Sequence, residues 1–174
     1  TEAEVGYYSV PFKIAFAFEI SPKPFVDMDT VYISSLDGTY DIEIGEGSII
    51  APNVYLFGKI RIGKETIIGP NIQLHNVDIG DRCRIGRPQF IDVVINDDAI
   101  IGSFFEAART RLGRKSNAVH ASYLGDTETG ENVNIAYGTV TANYDGTPIK
   151  NKTIIGDNVK TGIGSHLVPK KNKL

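Results

Sequence analysis

Only three histidines and one cysteine occur among the 174 residues, so proton transfer near neutral pH has few candidates. One is His120, which sits in the uneven stretch Ser116-Asn117-Ala118-Val119-His120-Ala121-Ser122-Tyr123. A second polar cluster, Asn143-Tyr144-Asp145-Gly146-Thr147-Pro148, reads as an extruded loop, because Asp-Gly followed closely by Pro signals a turn. Loops carried on a rigid scaffold are where binding residues concentrate. The other candidates point to packing. Cys83 falls at a small inward position of a repeat and reads as core rather than nucleophile. His75, His120 and His166 are 45 and 46 residues apart, about two and a half turns of that repeat. At roughly 4.8 Å per turn, neighbours would sit about 12 Å apart along the axis. That is far outside the ligand shell of one zinc ion, so no metal site is expected.

The repeat must position both stretches. Aliphatic residues followed by Gly or a small residue recur at Ile44, Ile50, Leu56, Ile62, Ile68 and Leu74, each six apart. After a slip the series resumes at Ile79 and Ile85, then Ile95, Ile101 and Ala107, Thr129, Ile135 and Thr141, and finally Ile155, Thr161 and Leu167. Four residues after most leaders stands a small or β-branched residue, among them Ser48, Val54, Thr66, Ile72, Cys83, Ala99, Ser116, Val133 and Thr139. Strand residues alternate faces, so both positions point inward, while Gly and polar residues turn the corners. Three six-residue sides close a coil of about 18 residues, an all-β parallel β-helix. A 3.6-residue stripe is missing, which excludes an amphipathic helix. The period breaks twice, around Ser116–Tyr123 and between Thr141 and Ile155.

The chain divides into an N-terminal segment, 1–41, a β-helix over 42–168, and a basic tail, 169–174. In the first, Phe12, Ile14, Phe16, Phe18 and Ile20 alternate with Lys13, Ala15, Ala17 and Glu19, a half-buried strand that ends at Ser21-Pro22-Lys23-Pro24. Its expected role is an aromatic cap over the first coil, because a β-helix end exposes unpaired backbone groups. A net charge of −3 gives no general attraction to nucleic acid or to an acidic membrane. No apolar run approaches a membrane span, no signal-peptide layout opens the chain, and a single cysteine excludes an internal disulfide framework. A cytoplasmic location is expected.

The segments Gly113 to His120, Tyr123-Leu124-Gly125-Asp126, Gly130-Glu131-Asn132-Val133-Asn134, Gly138 to Gly146 and Lys152 to Asp157 carry a further message. Together they resemble the hexapeptide-repeat acetyltransferase domain of bifunctional N-acetylglucosamine-1-phosphate uridyltransferase/glucosamine-1-phosphate acetyltransferase. The match is strong over about 100–162 and looser back to about 38. The resemblance implies a left-handed coil, a homotrimer with sites between adjacent subunits, and acetyl transfer from acetyl-CoA to the amine of an amino sugar phosphate in envelope-precursor synthesis. It also implies roles for particular residues. His120 would be the general base and Glu106 would orient its ring. Asn143 would hold the amine or the thioester carbonyl. Tyr144 and Asn134 would contact the sugar, while Tyr123 and Lys150 would bind its phosphate. Main-chain N–H groups near Gly162 and Ile163, with Lys160, would meet the acetyl-CoA.

The sequence departs from that family in several places. The family's two phosphate-binding basic residues have only Arg87, in Arg87-Pro88, and Arg109, in Ala107-Ala108-Arg109, as their nearest counterparts. A Gly-Ala-Gly near the substrate loop reads Ala136-Tyr137-Gly138, which brings a bulky side chain to a small position. The chain stops at Leu174, some two to three coils earlier than the family does. These departures leave an alternative: a shortened, non-catalytic β-helix homologue acting as a sugar-binding or assembly module.

Overall fold

The computed structural model describes residues 25–26, 30–34 and 41–168. The strand expected over Phe12–Ile20 and the basic tail, 169–174, lie outside them. Every pairing between the strands described is parallel, and no helix occurs among the described residues. One side of the solenoid stacks Phe25–Val26, Ile49–Ile50, Ile67–Ile68, Arg84–Ile85, Ile100–Ile101 and Asn117–Ala118, one strand per coil. Single bridges from Asn117 to Asn134 and from Asn134 to Lys160 extend this side by two further coils. The other two sides share longer strands that run around a corner. Val54–Ile62 pairs its first half with Val31–Ser34 and its second half with Asp41–Ile44. It bends at Gly58, whose φ of 69° is open to glycine but strained for most residues. The strands Phe25–Val26 and Val31–Ser34 carry the ladders into the segment assigned to a cap.

Alternation drives the packing. In Asp41–Ile44 and Ile72–Ile79 the aliphatic residues are buried and their neighbours exposed, as a period of two demands. The leaders Ile50, Leu56, Ile68, Leu74, Ile95 and Ile101 stack into one axial core with Phe90 and Phe105. Every buried side chain of this size contributes about 1.5–3 kcal/mol. Further along, the core turns polar. Thr127 and Thr141 share a hydrogen bond of 3.2 Å, and Thr141 accepts the Gly125 N–H at 2.8 Å. These hydroxyls satisfy backbone groups that aliphatic side chains would leave unpaired. Cys83 lies in the core, where burial pushes its thiol up to about 11, in keeping with a packing role.

Two sequence readings need correction. The coils are not uniform 18-residue turns. Ile50, Ile68, Ile85, Ile101 and Ala118 lie in one column, so successive coils take 18, 17, 16 and 17 residues. Corner residues in the left-handed region, such as Glu65, Arg82, Asp98, Lys115, Asn132 and Asn158, let the turns shorten while the inward column stays in line. The irregular stretch Ser116–Tyr123 is also no interruption. Asn117–Ala118 and Ser122–Gly125 occupy ordinary ladder positions, the latter in register with Phe105–Ala108. The single insertion among the later coils follows Thr141, where the step from Asn134 to Lys160 takes 26 residues.

Candidate active site

The inserted loop is closed at its base by the Asn151 N–H, which donates to the Asn143 carbonyl at 2.8 Å. Within it, the Thr147 N–H and hydroxyl both donate to Asp145 Oδ1, at 3.1 and 2.7 Å, and hold that carboxyl down to about 2. Tyr144 and Lys150 are exposed, and the Lys150 ammonium stands 3.9 Å from the centre of the Tyr144 ring. Asn143 differs from the rest of the loop. Its side chain turns back against the coil and is 7 % exposed.

Beneath Asn143 the corner of the solenoid repeats one device. Arg109 and Asp126 both adopt φ of 50°, so their side chains leave the corner in parallel, one coil apart. Arg109 grips the carboxylate with a fork: Nε donates to Oδ1 at 2.6 Å and a terminal nitrogen donates to Oδ2 at 2.9 Å. Asn143 Nδ2 donates to the same Oδ2 and lies 3.3 Å from the Tyr123 hydroxyl. The fork from Arg109, aided by Asn143, holds the Asp126 carboxyl below the usual carboxylate range. Gly125 forms the floor. A Cβ there would lie 2.3 Å from Asn143 Nδ2 and 2.4 Å from the Tyr123 hydroxyl oxygen, so only glycine lets these groups meet. Beside them opens a cleft of about 400 Å³, lined by Arg109, Arg111, Asp126, Glu128, Lys150 and Lys152 among others.

His120 occupies a different corner. It is exposed, and its ring meets Tyr137 one coil away edge-on, with centroids 6.5 Å apart and planes at 68°. Tyr137 itself is 58 % exposed; Phe104 and Ile163, in neighbouring coils at this corner, are 74 % and 83 % exposed. Arg87 belongs here as well, its guanidinium 5.6 Å from the centre of the Phe104 ring. The side between the two corners carries Glu106 and Tyr123 in direct register. Glu106 makes no hydrogen bond to His120. Asn134 and Lys160 are register partners on the adjoining side, next to Asn117.

One chain therefore gathers Tyr123, Asn143, Tyr144, Lys150 and Arg109 at one corner, and His120, Arg87 and Tyr137 at another. His120 and Gly125 are five residues apart on an extended side, roughly 15 Å. Gly162 and Ile163 are exposed in the last coil. There the Thr161 N–H is taken by the Asn134 carbonyl and the Gly164 N–H by the Tyr137 carbonyl. No backbone carbonyl of the described residues takes the N–H of Gly162 or Ile163.

The structure adds residues that the sequence reading gave no role. Asp126 and Gly125 were quoted only within a matching motif, and Asn117 keeps a buried side-chain oxygen with no partner. An available signal was the corner spacing, since Arg109 and Asp126 are 17 residues apart, one coil. Among the described residues no three His, Cys, Asp or Glu side chains converge as metal ligands, and no helix could cross a membrane.

No protein-family model matches the chain. Individual relatives do. The chain is 35 % identical over 162 residues to the bifunctional protein GlmU of Pelobacter propionicus, an alignment covering 82 % of this chain and 34 % of that protein. It is 39 % identical over 147 residues to the GlmU of Koribacter versatilis, covering 74 % and 31 %. Against the GlmU of Thermodesulfovibrio yellowstonii it is 37 % identical over 163 residues, covering 83 % and 35 %. The chain thus spans about a third of the length of these relatives. Similarity over most of this chain, together with a solenoid of stacked parallel coils, places it in the family of the hexapeptide-repeat acetyltransferase domain of the bifunctional protein GlmU.

Proposed function

We propose that this chain transfers an acetyl group from acetyl-CoA to the amine of an amino sugar phosphate of the glucosamine-1-phosphate class. An ammonium has no lone pair to attack a thioester, so a base must keep the amine neutral or take its proton during attack. His120, exposed and close to its neighbours' substrate-facing edge, is that base. The amine nitrogen bonds to the thioester carbon, and the imidazole receives the amine proton. The tetrahedral adduct then expels the CoA thiolate, which takes the proton from the imidazolium, leaving the amide and free CoA. The free N–H groups of Gly162 and Ile163 suit the developing oxyanion. Lys160 lies on the same coil, within reach of the CoA. Lys150, Arg109 and Tyr123 serve the sugar phosphate; Tyr144 and Asn134 serve the sugar. Glu106 acts on His120 across one register step.

The separation of His120 from the Asn143 corner supports a site completed by a second subunit, in a homotrimer. The exposed apolar edge of Phe104, Tyr137 and Ile163 is suited to that contact. The observation that carries the reading is the convergence of Tyr123, Asp126 and Asn143 on Gly125, within the region similar to the GlmU proteins. A thiol-release assay with acetyl-CoA, run with and without glucosamine-1-phosphate, tests it. Acceptor-dependent thiol release is the expected result. Release that is absent, or indifferent to the acceptor, would leave a non-catalytic sugar-binding or assembly module as the better account.

A further inference from the structure

We propose that Asp126 is a positioning residue that fixes the hydrogen-bonding polarity of Asn143 and Tyr123, so that Asn143 presents an acceptor oxygen and Tyr123 a donor hydroxyl. An amide side chain can face a partner with either its oxygen or its NH2 group, and the two choices suit opposite ligands. Asp126 removes the choice. Its carboxylate accepts hydrogen bonds only, and both oxygens already accept from Arg109. The atom that Asn143 turns toward Oδ2 must therefore be Nδ2, and one amide hydrogen is committed there. The second amide hydrogen points toward the Tyr123 hydroxyl oxygen, 3.3 Å away. With its oxygen accepting, the phenol directs its own hydrogen outward. Asn143 keeps only Oδ1 for a ligand, and no protein group donates to it among the described residues.

The inference rests on acetyl transfer as proposed above and decides what Asn143 does in it. An acceptor oxygen orients an amine through N–H bonds, leaving its lone pair free, and favours the positive charge that grows on nitrogen during attack. The same oxygen would repel a thioester carbonyl. Asn143 therefore serves the amine, and oxyanion stabilisation falls to main-chain N–H groups. The Tyr123 hydroxyl, donating outward, matches a phosphate oxygen.

A reciprocal swap tests this. Asn143→Asp places carboxylate against carboxylate and breaks the contact. Asp126→Asn lets the wrong face of Asn143 turn outward. In the double variant, Asn at 126 donates to Asp at 143, and an oxygen again faces the ligand. Each single variant should lower kcat for thiol release roughly 10- to 100-fold with KM for acetyl-CoA within about twofold, and the double variant should recover most of that loss. Single variants within about twofold of the parent, or a double variant no better than Asn143→Asp, would overturn the proposal. A second readout does not depend on acetyl transfer. In the 15N-labelled intact protein, the Asn143 side-chain amide protons should exchange slowly, and Asp126→Asn should shift them and speed their exchange. Fast exchange in the parent would refute the polarity itself, whereas slow exchange without thiol release would leave the polarity standing and remove only the reaction.

Discussion

Asn143, from the inserted loop, and Asp126, one coil away, meet through a 2.5 Å hydrogen bond that ties the loop to the scaffold. The loop is otherwise exposed from Tyr144 to Lys150. This tie and the Asn151–Asn143 closure determine where its functional side chains stand, so the predictions below concern the tie, the floor under it and the coils that carry both.

Gly125→Ala should disable the site. The added methyl would overlap Asn143 and the Tyr123 hydroxyl oxygen, both within 2.4 Å of it, and would force one of them out. Overpacking of this kind costs about 1–3 kcal/mol. A lower melting temperature and loss of thiol release are the expected outcomes of thermal denaturation and the coupled assay.

Leu56→Ala should destabilise the whole solenoid by about 2–5 kcal/mol, because a fully buried leader leaves a cavity between coils. Lys64→Ala removes only an exposed ion pair at 4.0 Å and should change stability by less than about 1 kcal/mol. Urea unfolding midpoints compare the two directly.

How much of this was legible beforehand differs by level. The inward column from Ile44 to Thr141 could be read directly, because aliphatic residues at a fixed step leave little freedom in a strand of period two. The coil lengths could not. Left-handed corner residues such as Arg82 and Asp98 absorb a missing residue without moving the column, so a skipped position looks like a break in the sequence and is none in the fold. That is why Ser116–Tyr123 looked irregular. The loop after Thr141 was legible from Asp145-Gly146 and Pro148. The Arg109–Asp126–Asn143 chain was not, since its members come from three coils and their meeting depends on register rather than on local composition. The separation of His120 from that cluster was hidden for the same reason.

Acid should release the loop in a defined window. Hydrogen bonds from Thr147 hold Asp145 at about 2. A depressed carboxylate pKa contributes stability that is complete above the unfolded value, about 3.9, and is lost as pH falls through the folded value. Asp126 is lowered in the same sense by Arg109, so its tie to Asn143 should also persist to the acid side of the ordinary carboxylate range. Carboxyl 13C titration should give Asp145 a midpoint near 2; a midpoint near 4 would show that the turn is not held in solution.

Tyr137→Ala should act on the imidazole it touches. Edge-on aromatic contacts are worth about 0.5–1.5 kcal/mol, and here one partner is the proposed base. Loss of the ring should free His120 to rotate and lower kcat by about 2- to 10-fold. KM for acetyl-CoA should change little, and Tyr137→Phe, which keeps the ring, should stay close to the parent. Steady-state kinetics on both variants checks this.

The most direct test of the account is thiol release by the parent and by His120→Ala at saturating acetyl-CoA and glucosamine-1-phosphate. General-base catalysis of this kind contributes about 10²- to 10⁴-fold, so the variant should lose at least 100-fold in kcat while keeping the parent's fold by circular dichroism. Equal rates in the two proteins would contradict the assignment of the base. No acceptor-dependent release from the parent would contradict acetyl transfer to this sugar.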